Sequence, residues 1–152
     1  MPFDSIKTII IGLTLVLLLY MSFLYKSRDG KTLRFLISST LVTSLLLSII
    51  TLNLHHILRD ELNIPNTVTY VLTAAPFIYH LYRFRTIILN TQYFLLTLSI
   101  LLLGLALLLD LFTDGKIITF SSSDFIEEIL RVLGALFWLL YYFFYCFRLN
   151  RN

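Results

Sequence analysis

Charge is scarce in this sequence. Of 152 residues, only 14% are Asp, Glu, Lys or Arg, against about 25% in ordinary soluble domains. There is a single cysteine, Cys146, so an internal disulfide and a cysteine metal cluster are excluded. The sequence contains no Gly-rich phosphate loop, no His-Glu-x-x-His and no Gly-x-Ser-x-Gly, so no familiar motif names a reaction. Long polar stretches are also missing. The longest connection between apolar blocks is about ten residues, 113–122, which leaves nothing outside those blocks able to bury a core of its own. A separate soluble catalytic or ligand-binding domain is therefore not expected.

Apolar residues make up 58% of the chain, and the mean hydropathy is +0.85. They fall into five blocks, several of which reach the ~20 residues that cross a hydrocarbon core of about 30 Å. The fold class expected is an all-α integral membrane protein: a compact bundle of five transmembrane helices forming one domain over 1–152, with no soluble domain. The expected helices are 6–25, 33–58, 66–82, 86–112 and 124–147. The first block is longer than a usual signal core and no small-x-small cleavage site follows it, so it reads as an uncleaved anchor.

The net charge is +3 and the pI near 9.1, but the basic residues cluster in short loops beside apolar blocks. That is how membrane topology is encoded, and nucleic acid is rejected as a partner. With five spans, one side collects Lys26, Arg28, Lys31, Arg34, Arg83, Arg85, Arg148 and Arg151. The other holds Lys7, Arg59 and Lys116, with Arg131 near it. The richer side is assigned to the cytoplasm, which puts the N-terminus outside and the C-terminus inside. A four-span arrangement with a re-entrant third segment spoils this asymmetry. The localisation expected is the plasma or inner cell membrane, as a multi-pass protein.

Counting depth at 1.5 Å per residue brings the ionisable residues to one level. His55 stands about 31 Å along its helix from Arg34, and Asp110 about 37 Å from Arg85. Glu127 and Glu128 are about 30 Å from Arg148, and Arg131 about 25 Å from it. His55, His56, Asp110, Glu127, Glu128 and Arg131 thus form a candidate polar pocket near the outer boundary. The plainer reading is a solvated cap. Asp124 and Glu127 have capping-box spacing, and Arg131 can pair within its own helix with Glu127 and Glu128. No metal and no cofactor is expected. The adjacent His55-His56 pair lacks the i, i+4 spacing that puts two imidazoles on one helical face, and His80 lies at the opposite end, where a hydrogen-bonded imidazole is the simpler reading.

A second pattern continues down the last helix. Gly134, Trp138, Tyr141 and Tyr145 extend the face of Asp124, Glu127 and Arg131. Small and polar residues within a membrane usually turn toward other helices, so these four are the candidate helix-packing face. Thr40, Ser44, Ser48, Thr51 and His55 make a similar stripe on the second helix, and Asn90, Thr97 and Gly104 on the fourth. Pro76 removes a backbone donor and crowds the carbonyl of Leu72, so a kink is expected there. Cys146 reads as a passive thiol or as an S-acylation site.

The function expected is that of a non-catalytic membrane component, in an accessory, sensing or protective role, acting through helix–helix contacts. Its partners are the bilayer and either further copies of itself or another membrane protein. The alternatives are a small ion, proton or solute carrier using the outer polar pocket, and an intramembrane metal-dependent enzyme built on the same residues. The carrier reading suffers from the lack of an acid at the midplane, where carriers usually bind.

Overall fold

The computed structural model of the chain describes residues 2–26, 30–52, 66–114 and 123–151, and the regular elements among them are all helices. In order they are α1 (Pro2–Leu24), α2 (Gly30–Leu52), α3 (Asn66–Arg83), α4 (Arg85–Leu89), α5 (Tyr93–Asp114) and α6 (Ser123–Arg151). Three stretches, Ser5–Leu24, Gly30–Thr51 and Phe125–Arg151, are long and apolar enough to cross a membrane; Tyr93–Leu109 is apolar but shorter. Helix is the element expected of such runs, because it satisfies every interior backbone N–H and C=O within the segment and needs no neighbouring strand.

The fourth expected helix, 86–112, is two elements in the structure. Phe84 has φ −111° and ψ 17°, which ends α3, and α4 then runs for only five residues to Asn90. The Thr91 hydroxyl donates to the Ile88 carbonyl at 2.7 Å, closing α4 with a side-chain cap before α5 begins. Helix α3 continues through Pro76, and the interruption of regular helix falls at Phe84.

The described residues group into two compact units. One comprises 1–10 with 92–152, and the other comprises 11–91. Within the first, α5 and α6 are the principal helix pair. Their seam on α5 is Leu96, Ser99, Leu103 and Ala106, at spacings of three and four; Leu96, Ser99 and Ala106 are buried. The Ser99 hydroxyl donates to the Gly134 carbonyl at 2.7 Å. A Cβ added at Gly134 would stand 2.7 Å from Leu103 Cγ and 3.2 Å from the Leu103 backbone nitrogen. The missing side chain is what lets the two backbones approach. The Asn90, Thr97 and Gly104 stripe is not this seam. Asn90 and Thr97 are exposed, and a Cβ at Gly104 would meet nothing within 4 Å. The seven-residue repeat of polar residues was a weaker guide than the three-and-four repeat of buried ones.

In the second unit, α2 buries Phe35, Ser39, Val42 and Leu46 along one face, with Leu36 and Thr43 beside them. Its predicted polar stripe behaves differently from the expectation. Thr40 donates to the Leu36 carbonyl at 2.8 Å, Ser48 to Ser44 at 3.0 Å and Thr51 to Leu47 at 2.8 Å. These hydroxyls are satisfied four residues back on their own helix. Helix α1 divides lengthwise: Lys7, Ile11, Thr14, Leu18 and Met21 are buried, while Ile9, Leu13, Val16, Tyr20 and Phe23 are exposed. An exposed apolar stripe of this length is the pattern of a helix whose outer face is covered by something other than water.

Gly134→Ala should destabilise the chain by about 1–3 kcal/mol, since the Leu103 backbone cannot yield without parting the helices. Gly104→Ala should be neutral or stabilising by up to about 1 kcal/mol. Thermal unfolding of both variants in detergent, followed by circular dichroism, checks the contrast.

Candidate functional site: a charged layer at the start of the last helix

Glu127 and Glu128 lie in the second turn of α6, where the helix dipole favours negative charge, and Arg131 follows one turn later. The Arg131 guanidinium pairs with the Glu127 carboxylate, and its Nη1 lies 3.5 Å from Glu128 Oε1. Glu128 is also held from the other side. Lys7 Nζ, on α1, donates to both carboxylate oxygens of Glu128 at 2.8 Å. The four groups therefore alternate in sign, Lys7, Glu128, Arg131, Glu127, and sum to zero. This contact joins the beginning of the first helix to the beginning of the last, inside one compact unit.

Burial makes the alternation matter. Lys7 is only 2% exposed and Glu127 8%. An ammonium taken out of water loses several kcal/mol of hydration, which only a close opposite charge recovers. A fork of two 2.8 Å bonds on one carboxylate is such a partner. Both carboxylates face cations. No group of three or more His, Cys, Asp or Glu suited to a metal occurs among the described residues.

Of the six residues expected in the outer pocket, the structure brings Glu127, Glu128 and Arg131 together. His55 and His56 lie outside the described residues. Asp110 is on α5, four residues before its end at Asp114, and its side chain also lies outside them. The residue missed was Lys7. It is the one cation of α1 and the one charged residue of the apolar span Ser5–Leu24, and a charge in a membrane-length apolar run is itself the signal that a partner exists.

Further along the same face of α6, Gly134, Trp138, Tyr141 and Tyr145 are all buried. Trp138 packs edge-on to Tyr142 with ring centroids 5.4 Å apart, and Tyr141 meets Tyr142 at 5.0 Å and Tyr145 at 6.4 Å. Phe143, Phe144 and Phe147 are exposed on the other side. The hydroxyl- and indole-bearing rings thus turn inward while the plain phenyl rings turn out. Cys146 is a buried free thiol, a position inaccessible to an acylating enzyme.

A second polar centre lies in the unit comprising 11–91. His80 on α3 is 1% exposed. Its Nδ1 is 2.8 Å from Ser38 Oγ on α2. Phe35 stacks on the imidazole at 5.4 Å, and Phe84 leans over it at 5.3 Å. The Nε2 atom is buried with no hydrogen-bond partner among the described residues, and such a group costs about 1–3 kcal/mol when uncompensated. Ser38 and His80 tie the start of α2 to the end of α3.

A family model described as a domain of unknown function, DUF8692, matches residues 7–145 and so spans both units. The chain belongs to that family. Comparison with curated proteins and with solved structures returns no match.

Lys7→Met should destabilise the chain by about 3 kcal/mol, because it strips Glu128 of its closest cation. The double variant Lys7→Met/Glu128→Leu should recover most of that loss. Chemical or thermal unfolding of the purified chain in detergent measures both; a neutral Lys7→Met would refute the clamp.

Proposed function

We propose that this member of the family is a multi-pass integral membrane protein that acts as a non-catalytic component through helix–helix contacts. The observation that carries the reading is the alternating set of Lys7, Glu128, Arg131 and Glu127. Its ionisable groups neutralise one another and join two helices, which is a structural use of charge. The three long apolar helices and the exposed apolar faces of α1 and α6 suit a lipid surrounding. The same faces suit another copy of the chain or a second membrane protein. The plasma or inner cell membrane is the proposed location.

Five spans are proposed, with the N-terminus outside and the C-terminus cytoplasmic. Two contacts support this reading. Lys7 near the start of α1 meets Glu128 near the start of α6, which suits two helices that begin at one membrane face and hence an odd number of spans. Ser38 near the start of α2 meets His80 near the end of α3, as expected if α3 recrosses antiparallel to α2. The Lys and Arg distribution then orients the whole.

The runner-up is a small ion, proton or solute carrier with an outward-facing pocket. The partial exposure of the Glu128 and Arg131 side chains, 17% and 23%, favours it over an intramembrane metal-dependent enzyme. Flux in proteoliposomes separates the readings. If the purified chain moves no tested ion, and Glu127→Gln alters stability alone, the component reading stands. A flux abolished by Glu127→Gln would replace it with the carrier. For the topology, single cysteines are introduced in a Cys146→Ala background and labelled with an impermeant maleimide. Arg28→Cys and Phe84→Cys should react only from the cytoplasmic side, and Asn63→Cys only from outside; labelling of Phe84→Cys from outside would leave three spans.

A further inference from the structure

We propose that the basic end of the unit comprising 11–91 is a docking surface for anionic phospholipid headgroups of the cytoplasmic leaflet. This rests on the membrane insertion proposed above and adds a specific partner to it. Lys26, Lys31, Arg34, Arg83 and Arg85 are all exposed. They come from three places in the chain: the turn after α1, the first turns of α2, and the junction of α3 with α4. The aromatic cluster draws the last two of these places together. Phe35, next to Arg34, meets Phe84 with ring centroids 5.4 Å apart, and Phe84 stands between Arg83 and Arg85. His80, hydrogen-bonded to Ser38, holds the same two helix ends one turn deeper. The cations of α2 and those of the α3–α4 junction therefore share one end of the unit by packing, not merely by position in the sequence.

Charge complementarity names the occupant. Among the described residues of 11–91 there is no aspartate or glutamate. In the sequence between Lys26 and Arg34, Asp29 is the one acid beside four cations, Lys26, Arg28, Lys31 and Arg34. A positive surface at a membrane face attracts acidic lipid, by about 1 kcal/mol for each Lys or Arg near the surface. The flanking rings fit the same depth. Tyr79 and Tyr82 are exposed, as expected of rings at the headgroup level. The Arg85 guanidinium lies over the Tyr82 ring at 5.5 Å, which holds the charge beside the ring on an exposed residue. A bidentate guanidinium–phosphate pair is the strongest bond such a surface can form.

The test uses the full chain reconstituted in phosphatidylcholine vesicles containing a minority of phosphatidylglycerol. Spin-labelled versions of the two lipids report which one the protein immobilises. The wild type should favour phosphatidylglycerol, and added salt should weaken that preference. The triple variant Arg34→Gln/Arg83→Gln/Arg85→Gln should lose it, by up to about fivefold for each cation removed. The charge-keeping Arg34→Lys/Arg83→Lys/Arg85→Lys variant should retain most of it. If the triple glutamine variant loses helicity, the single substitutions carry the test, each lowering the preference by a part. A wild type without preference, or glutamine variants with the preference intact, would overturn the proposal. Flotation of the vesicles is read in parallel: a wild type that does not float with lipid would defeat the membrane reading instead.

Discussion

The outward faces of these helices are largely apolar, and a polar group turned inward is costly to bury unless it finds a partner. The packing of the chain follows from how several interior hydroxyls, an imidazole and an ammonium are satisfied, although Ser22 Oγ, Ser39 Oγ and His80 Nε2 are buried without a hydrogen-bond partner among the described residues. Three solutions occur. Thr40, Ser48 and Thr51 donate to the carbonyl four residues back and stay within α2. Ser99 reaches across to the backbone of Gly134 and so joins α5 to α6. Lys7 and His80 need whole side-chain partners on another helix, Glu128 and Ser38.

The charged layer and the close crossing lie on one face of α6 and support each other. Gly134 is one turn beyond Arg131, and its lack of a side chain brings its carbonyl within reach of Ser99 on α5. The buried aromatic residues Trp138, Tyr141 and Tyr145 then continue the same face. Charge at one end of the face, a backbone-to-backbone approach beyond it and rings at the other end thus form a single packing surface.

Much of this was legible in the residues. The helical class, the apolar runs and the shared face of Glu127, Arg131, Gly134, Trp138, Tyr141 and Tyr145 all follow from spacing and hydropathy. The intrahelical pairing of Arg131 with its two acids follows from the three-and-four rule. The division of 86–112 at Asn90–Gln92 was not legible, because Thr91 caps a carbonyl with a residue that propensity alone places in a helix as readily as at its end. The α2 stripe misled for a related reason. Sequence shows which face a serine or threonine occupies but not whether its hydroxyl turns back to its own backbone.

The sequence by itself determined that the chain is helical, which faces of each helix are apolar, and how its cations are distributed along it, because these depend only on local backbone geometry and on residue type. Tertiary structure decided who meets whom. That Lys7 closes on Glu128, that Ser38 closes on His80, and that Gly134 admits Leu103 are choices among helix pairs. One helix carries no record of the helix it will pack against. Such choices are made by the summed fit of whole surfaces, in which a single missing Cβ or a single buried charge excludes the alternatives.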